Sequence, residues 1–204
     1  MKKIPTLFER EFKNHKVVGI TDKLTPGLSW ELLASCQPTE KIDGSCCAII
    51  GGELYKRYDA KKGKKPPEGA IPCCDPDPVT GHWPHWVKCD RNNPQDKWFF
   101  SAMDSTRPAR LAGNDWTYEA IGKHFNGNPY NMDGDMLVDH GHFPITDAIL
   151  DSFESIRAYL EMHSIEGIVW WNESSTAPVC KIKRTDFGIQ WPVEVTADAG
   201  KNAD

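Results

Sequence analysis

The sequence contains no long hydrophobic run, and we expect no secretory leader. A membrane-spanning helix needs about 18 consecutive apolar residues, and no such stretch occurs. Residues 1–5 include lysines, but the apolar segment that a signal peptide requires does not follow them. We therefore expect a soluble, cytoplasmic protein without a membrane partner.

The sequence also contains fewer basic than acidic residues. The 24 lysines and arginines are outnumbered by 29 aspartates and glutamates, which leaves a formal net charge of -5. Any nucleic-acid binding must therefore come from a local basic face. The most basic segment, residues 56–65, is either a solvated loop or, if it lies beside a reactive centre, an edge that contacts phosphates. Its candidate RNA-contacting side chains are Lys61, Lys62, Lys64 and Lys65.

The cysteines do not form a recognisable disulfide or zinc pattern. Two pairs of the seven cysteines are adjacent in sequence, which is not typical of a disulfide framework and fits a reducing compartment. Residues 73–89 contain two adjacent cysteines followed by His-x2-His-x3-Cys, which is not a common spacing for structural zinc. We expect a loop with partly buried tryptophans there. The residues concerned are Cys73, Cys74, His82, His85 and Cys89.

The length and the periodicity of the sequence predict one mixed domain. A chain of 204 residues is long enough for a substantial core, and we expect a single domain over residues 1–192 with a loose tail over 193–204. Residues 151–163 have apolar side chains at spacings of three and four, which predicts an amphipathic helix capped by Asp151 or Ser152. Gly51-Gly52 indicates a hairpin. The predicted strands cover residues 17–20, 46–50, 53–58, 97–102, 115–122, 166–171 and 179–184, and residues 30–34 form a short helix or strand.

The segment TEKIDGS at residues 39–45 places Lys41 among acids and immediately before an Asp-Gly turn. Free lysine has a pKa near 10.4, so its amine is protonated at neutral pH and cannot attack an electrophile. Burial or neighbouring cations lower the pKa and make the amine a nucleophile. Lys41 is thus a candidate nucleophile, and the alternative is a solvated surface charge, as most lysines are.

Two further lysines, Lys181 and Lys183, are separated by one residue in a predicted strand. Because side chains alternate along a strand, both lysines point to the same face. They repel each other unless an anion lies between them, so the pair indicates either a phosphate site or an exposed sheet face. Glu119 interrupts apolar neighbours in another predicted strand, where it could also belong to an ordinary polar face.

The order of these motifs resembles that of the covalent nucleotidyltransferase superfamily, which includes ATP-dependent RNA and DNA ligases and mRNA capping enzymes. TEKIDGS is similar to the first motif of that superfamily, YEAIG (118–122) to the third, EGIV (166–169) to the fourth, and KIK (181–183) to the fifth. Other features are more similar to the animal 5′–3′ RNA ligase 1 family, although the chain is short for an animal member and suggests a microbial or viral relative. These features are the double cysteine at 46–47, NGNPY (126–130), IEGIVW (165–170) and G-x-x-W-P (188–192).

The resemblance implies a role for each motif residue. Lys41 would attack the α-phosphate of ATP, while Lys181 and Lys183, with Mg²⁺ or Mn²⁺, would lower its pKa and offset the phosphate charge. Glu166 is implied as the metal ligand; Asp43 is a second candidate that otherwise orients the lysine or only shapes the turn. By the same resemblance Glu119 and Arg57 would hold ribose and phosphate, and Glu40 would lie near the adenine. The implied nucleotide-binding set is Glu40, Lys41, Arg57, Glu119, Glu166, Lys181 and Lys183.

The resemblance also implies a fold and a reaction. The fold would be α+β, with two packed, mainly antiparallel sheets, flanking helices and the nucleotide in the cleft between the sheets, and without an appended OB-fold domain. The function would be that of a monomeric ATP-dependent RNA ligase in RNA repair, which joins 5′-phosphate and 3′-hydroxyl RNA ends through a lysyl-adenylate. The alternatives are a DNA ligase, an mRNA capping guanylyltransferase, and a non-catalytic RNA-binding module that uses the basic segment.

Overall fold

The computed structural model describes residues 4–14, 16–61, 63–78, 81–106, 115–172 and 177–193. The strands are β1 (Phe8–Lys13), β2 (Lys16–Leu24), β3 (Cys36–Lys41), β4 (Ser45–Ile50), β5 (Glu53–Ala60), β6 (Ile71–Pro72), β7 (Trp83–Lys88), β8 (Trp116–Gly122), β9 (Asp135–Asp139), β10 (Gly167–Asn172) and β11 (Ala177–Lys183). The helices are α1 (Trp30–Ala34), α2 (Lys97–Ser105) and α3 (Phe153–Met162), and a 3-10 turn covers Arg184–Phe187.

The chain divides into two compact units. One consists chiefly of Ile42–Pro144, and the other consists of Pro5–Lys41 and the chain from Ile145 onward. The named strands in both units pair antiparallel, so the predicted α+β class with mainly antiparallel sheets is confirmed. The single domain over residues 1–192 stays a prediction, and residues 194–204 of the expected tail lie outside the described residues.

The first unit contains a six-stranded sheet in the order β6-β7-β5-β4-β8-β9. One face packs on α2 and forms a core that includes Cys47, Leu54, Tyr118 and Leu137. Because side chains alternate along each strand, the residues next to these core positions point to the opposite face. That opposite face receives the polar residues of the central strands β5, β4 and β8.

The second unit contains a three-stranded sheet in the order β11-β10-β3 and a separate hairpin of β1 and β2. Helix α3 packs Ile156 and Leu160 into a core with Ile168 and Ile182 of the sheet. Its N-terminus has a capping box, in which the Ser152 hydroxyl accepts from the Ser155 amide and the Ser155 hydroxyl accepts from the Ser152 amide. The predicted helix is confirmed, with Ser152 as the N-cap residue.

The prediction of a strand over residues 97–102 is wrong, because these residues begin α2. A short apolar run does not distinguish a buried strand from a helix. In this segment Ala102 is fully buried, while Trp98, Phe99 and Met103 pack against the same core, a spacing that fits one face of a helix. Asp96 fixes the turn before the helix. Its carboxylate accepts a hydrogen bond from the Asp90 amide at 2.9 Å and forms an ion pair with Lys56 of β5.

Five strands were not predicted from the sequence: β1, β3, β6, β7 and β9. The loop expected around the tryptophans of residues 73–89 contains β7, which pairs with β5 along six residues. The indole N–H of Trp83 donates to the Cys74 carbonyl at 2.6 Å, and His85 is fully buried. Among the described residues, the cysteines and histidines of this segment do not gather into a metal-ligand cluster.

None of the helices in the described parts of the chain combines the length and apolarity that a bilayer crossing requires. The cytoplasmic location remains a prediction.

Candidate active site

The strongest candidate site lies at one end of the β11-β10-β3 sheet. Gly167, the first residue of the central strand, pairs with Lys41 on one side and with Lys183 on the other. Glu166 directly precedes Gly167, and its carboxylate binds both lysines: Oε2 lies 2.5 Å from Lys41 Nζ, and Oε1 pairs with Lys183 Nζ. The strand register thus brings together the predicted nucleophile, the predicted metal ligand and one predicted phosphate-binding lysine.

The Glu166 carboxylate is nearly inaccessible to water, whereas the lysines are progressively more open. The side chain of Glu166 is 5% exposed, that of Lys41 is 18% exposed and that of Lys183 is 33% exposed. A buried carboxylate is stable when it is paired and hydrogen-bonded, and both oxygens of Glu166 have an ammonium partner. Each oxygen retains a further lone pair, so the carboxylate can also accept from a ligand or a hydrated cation.

Gly167 is required at the junction by close backbone packing. A Cβ atom built on Gly167 would lie 2.1 Å from the carbonyl oxygen of Ile182 and 2.9 Å from the Cα of Lys183. Both contacts are with the backbone of β11, which cannot move aside as a flexible side chain could. The Glu-Gly pair in the sequence therefore has a structural reason: the glutamate binds the two lysines, and the glycine lets β10 and β11 approach.

Lys181 adds a third positive charge on the same face as Lys183. Burial first, and the neighbouring charges of Lys41 and Lys183 second, together lower the pKa of Lys181 to about 8. Its backbone is held by the N-terminal segment, since the Lys181 amide donates to the Pro5 carbonyl at 3.0 Å and the Lys181 carbonyl accepts from the Leu7 amide at 2.7 Å. Three lysines around one carboxylate form a cluster that favours an additional anion.

Glu40 lies on the other side of this sheet from Lys41. It pairs with Ile168, which belongs to the hydrophobic core, and alternation along β3 turns it away from the lysine face. The pKa of Glu40 is raised above its usual value, and burial is the main cause. His163 lowers the pKa in part, and the charge of Asp147 raises it. The role of Glu40 near the adenine stays a prediction, and a contact through its backbone is compatible with this orientation.

The polar face of the six-stranded sheet brings together Cys46, Arg57 and Glu119 with a histidine that was not predicted, His140. Cys46 pairs directly with Glu119 across β4 and β8, and the Arg57 guanidinium hydrogen-bonds to the Cys46 thiol. Arg57 also donates from Nε to Asp59 at 2.9 Å. His140 directly follows β9, and its Nε2 lies 3.0 Å from Glu119 Oε1. Because β9 was not predicted as a strand, nothing in the sequence pattern associated His140 with Glu119.

Three residues of this face could also hold a metal ion. The ligand atoms of Cys46, Glu119 and His140 all lie within 4.8 Å of one another. The thiol is protonated in the absence of a metal, since burial first and the Glu119 charge second raise the pKa of Cys46 to about 12. A metal would therefore have to displace the thiol proton, with the Arg57 charge close by.

Asp43 is held by a loop of its own unit. Its backbone amide donates to the Tyr130 hydroxyl at 2.6 Å, and its carboxylate accepts from the Asn126 side chain at 2.9 Å. The Asn126 amide also donates to the Gly44 carbonyl at 2.7 Å, so one side chain binds both residues of the Asp-Gly turn. These contacts support the turn-shaping role that was left open for Asp43, and its role as a metal ligand stays a prediction.

The lysines of the basic segment, residues 56–65, differ in their surroundings. Lys56 points into the first unit and pairs with Asp96, whose side chain is 2% exposed, whereas Lys61, Lys64 and Lys65 are exposed to solvent. The remaining candidate, Lys62, lies outside the described residues. An RNA-contacting role for this segment therefore depends on the residues beyond β5.

The lysine–carboxylate cluster has the charges that would stabilise an anionic group next to a lysine, which enzymes of phosphoryl and nucleotidyl transfer require. Comparison with known proteins adds independent information. A family model described as RNA ligase 1 matches residues 108–202. The chain is 25% identical to RNA ligase 1 of Pongo abelii over 256 residues, which cover 92% of this chain and 78% of the relative. It is 26% identical to RNA ligase 1 of Danio rerio over 273 residues, with coverages of 96% and 83%.

The chain is thus similar to RNA ligase 1 proteins over most of its length, in agreement with the resemblance of its motifs. RNA ligase 1 of Rattus norvegicus gives a similar result, with 26% identity over 230 residues that cover 78% of this chain and 69% of the relative. The segment that the family model matches includes Glu119, Glu166, Lys181 and Lys183, whereas Lys41 precedes it.

Proposed function

We propose that this chain is an ATP-dependent RNA ligase that forms a covalent lysyl-adenylate on Lys41. The observation that carries the proposal is the convergence of Lys41, Glu166, Lys181 and Lys183 at one end of one sheet. The name RNA ligase 1 of the relatives supports RNA as the substrate, and the lysine–carboxylate cluster supports nucleotidyl transfer to a lysine. A surface lysine with no such role would not require a buried carboxylate and two cationic neighbours.

The first step would transfer AMP to the lysine. The deprotonated amine of Lys41 attacks the α-phosphorus of ATP, the bond from that phosphorus to the bridging oxygen breaks, and pyrophosphate leaves. Lys181 and Lys183 stabilise the negative charge that develops on the phosphates. Glu166, whose carboxylate binds Lys41, holds the lysine side chain in place.

The second and third steps would join the RNA ends. The 5′-phosphate of one RNA end attacks the lysyl-adenylate, which breaks the phosphorus–nitrogen bond and leaves AMP on the RNA. The 3′-hydroxyl of the other end then displaces AMP and forms a phosphodiester. Glu119 and Arg57 remain proposed ligands of ribose and phosphate.

Glu166 is suited to hold a magnesium or manganese ion that accompanies ATP. Mg²⁺ takes oxygen ligands and usually keeps several waters, so one protein carboxylate with lone pairs to spare is a sufficient anchor. When bound, such an ion neutralises phosphate charge and assists departure of pyrophosphate. Asp43 stays the second proposed ligand.

The test is covalent labelling with α-labelled ATP and Mg²⁺, followed by a denaturing gel. We expect a labelled band that disappears in Lys41→Ala and Lys41→Arg, because the arginine guanidinium stays protonated. Lys23→Ala, which removes an exposed lysine of β2, is the matched control and should label normally. A band that persists in Lys41→Ala would refute the assignment of the nucleophile.

The same assay separates the alternatives. Label from GTP alone would indicate a capping-type enzyme, and transfer of AMP to 5′-phosphorylated DNA rather than RNA would indicate a DNA ligase. No band with any nucleotide or metal, in a folded protein, would favour a non-catalytic RNA-binding module that uses the exposed basic segment.

A further inference from the structure

The carboxylate of Glu119, on the polar face of the six-stranded sheet, is satisfied on one side only. Oε1 lies 3.0 Å from His140 Nε2, while Oε2 is buried and has no hydrogen-bond partner among the described residues. A buried carboxylate oxygen without a donor is costly, and native proteins commonly complete such a group with an enclosed water or ion. Because Oε2 has essentially no accessible surface, its partner has to be small enough for the site to enclose it.

Two other side chains that bind metals lie beside this carboxylate. Cys46 of β4 is the direct cross-strand partner of Glu119 in β8, and His140 follows β9, the other neighbour of β8. The ligand atoms of the three residues all lie within 4.8 Å of one another. Bonds to a zinc ion hold its ligand atoms about 3–4 Å apart, so rotation of the side chains is sufficient to bring all three onto one ion.

The imidazole of His140 is already oriented as a ligand. Nδ1 lies 2.8 Å from Thr117 Oγ1, and the His140 amide donates to the Thr117 carbonyl at 3.2 Å. With an ion on Nε2, the proton of the neutral ring is on Nδ1 and is donated to the threonine hydroxyl. Histidines that bind a metal ordinarily donate their second ring nitrogen to a nearby acceptor, which fixes the tautomer and the direction of the ring.

The charges around the cluster suit a divalent cation. One carboxylate and one thiolate balance its charge, and the thiol proton is released to solvent when the sulfur binds. The Arg57 guanidinium, which hydrogen-bonds to the Cys46 sulfur, has its own charge offset by Asp59 at 2.9 Å. A set of sulfur, nitrogen and oxygen ligands favours Zn²⁺ or Co²⁺ over Mg²⁺, which takes oxygen ligands.

We propose that Cys46, Glu119 and His140 bind one divalent ion of the Zn²⁺ or Co²⁺ type through sulfur, carboxylate and Nε2, with a water as the fourth ligand. Three protein ligands and a water are an established coordination for zinc. The site itself does not depend on the proposed function. One consequence does: Glu119 is also the proposed ribose ligand, so a bound ion and the nucleotide compete for the same carboxylate.

The experiment is titration of the reduced full chain with Co²⁺ in excess Mg²⁺, followed by absorption spectroscopy and then by displacement with Zn²⁺. We expect one ion per chain, with the visible bands of a four-coordinate site and a charge-transfer band from thiolate to cobalt. Thr117→Val should weaken binding by about 10- to 100-fold, because it removes the acceptor of His140 Nδ1. Cys46→Ser and His140→Ala each remove a ligand and should weaken binding further, and Cys46→Ser should also remove the charge-transfer band.

The matched control replaces both Cys73 and Cys74 by serine, since these partly exposed cysteines lie outside the cluster. This variant should bind Co²⁺ as the wild type does. Zn²⁺ should raise the Tm of the wild type and of the control, but not that of Cys46→Ser. The same unfolding measurement establishes that each variant is folded, and His140→Ala tests the assignment if Cys46→Ser is not.

The outcomes separate this inference from the proposed function. Absence of stoichiometric binding, a cobalt spectrum without the thiolate band, or loss of binding in the Cys73 and Cys74 variant would each overturn the site. Protein that carries AMP on Lys41, freed of ATP, should bind Co²⁺ more weakly than the unmodified chain. If it binds Co²⁺ equally well, the metal site stands and the nucleotide role of Glu119 fails. If the chain cannot be adenylated at all, the ligase proposal fails while the cobalt titration still decides the metal site.

Discussion

Replacing Glu166 by glutamine removes the negative charge from the lysine cluster while keeping the size of the side chain. Glu166 pairs with both Lys41 and Lys183, and Lys181 lies on the same face. Without the carboxylate charge, three ammonium groups repel one another at a position where the glutamate side chain is 5% exposed. We therefore expect Glu166→Gln to be destabilising as well as inactive in adenylation.

The magnitude follows from the burial of the partners. Removing one member of a buried ion pair costs about 3–5 kcal/mol. Lys183 is 33% exposed, so water compensates for part of the lost interaction, and we expect about 3 kcal/mol. A chain of this size loses about 2–4 °C of Tm per kcal/mol, which gives a decrease of about 6–12 °C.

The assay is thermal unfolding followed by circular dichroism, with Glu161→Gln as the control. Glu161 forms an exposed pair with Arg157 on α3, at 2.9 Å and with side chains 48% and 54% exposed. Loss of such a surface pair costs about 0.3–0.5 kcal/mol, so the control should unfold within about 2 °C of the wild type. Adding Lys183→Met to Glu166→Gln should recover part of the stability, because one repelling charge is removed. If Glu166→Gln unfolds at the wild-type temperature, the buried ion-pair cluster is not a real feature of the protein.

Three other predictions follow from the same geometry. Gly167→Ala should cost about 1–3 kcal/mol by overpacking against the β11 backbone, while Gly134→Ala, whose Cβ would meet nothing within 4 Å, should cost much less in the same unfolding assay. The pKa of Lys181 lies below that of an unfolded lysine, so the unfolded chain binds the proton more tightly and the free energy of unfolding rises with pH from about 8 to about 10.5. Lys181→Met should lose this rise and should also lose adenylation. If the pH profile of the free energy of unfolding is unchanged in the variant, the lowered pKa does not belong to Lys181. Charge reversal at the exposed Lys64 and Lys65 should weaken RNA binding and sealing without affecting adenylation. The slope of the logarithm of RNA affinity against the logarithm of salt concentration should become shallower by about 0.7 per lost phosphate contact. If the variant seals RNA as the wild type does at all salt concentrations, this segment does not belong to the RNA-binding surface.

The sequence predicted local features of the chain better than the contacts between distant segments. Alternation alone places Lys181 and Lys183 on one face, and spacing alone predicts α3, because both are local properties of the chain. The pairing of Lys41 with Gly167 is not local, and only the resemblance to a known family indicated that their motifs belong together. The site roles of Lys41, Glu166, Arg57 and Glu119 themselves stay predictions until they are measured.

The failures have physical causes of the same kind. The apolar run that begins α2 is compatible with a strand until tertiary packing selects the helix. His140 was missed because β9 is five residues long and its strand character depends on pairing with β8. The side of the sheet on which Glu40 lies was not anticipated, because β3 was not predicted as a strand.

The position of Gly167 in the register also has a consequence for how the protein is made. Lys41 and Glu166 are separated by 125 positions in sequence, and Lys183 follows 17 positions later. During translation, Lys41 is therefore incorporated long before Glu166, which binds it, and before β11, which carries Lys181 and Lys183. Because non-local pairing of this kind forms late and slowly, the nascent chain holds an unassembled site through most of its synthesis. The cluster can form only when β10 has emerged and paired on both of its edges.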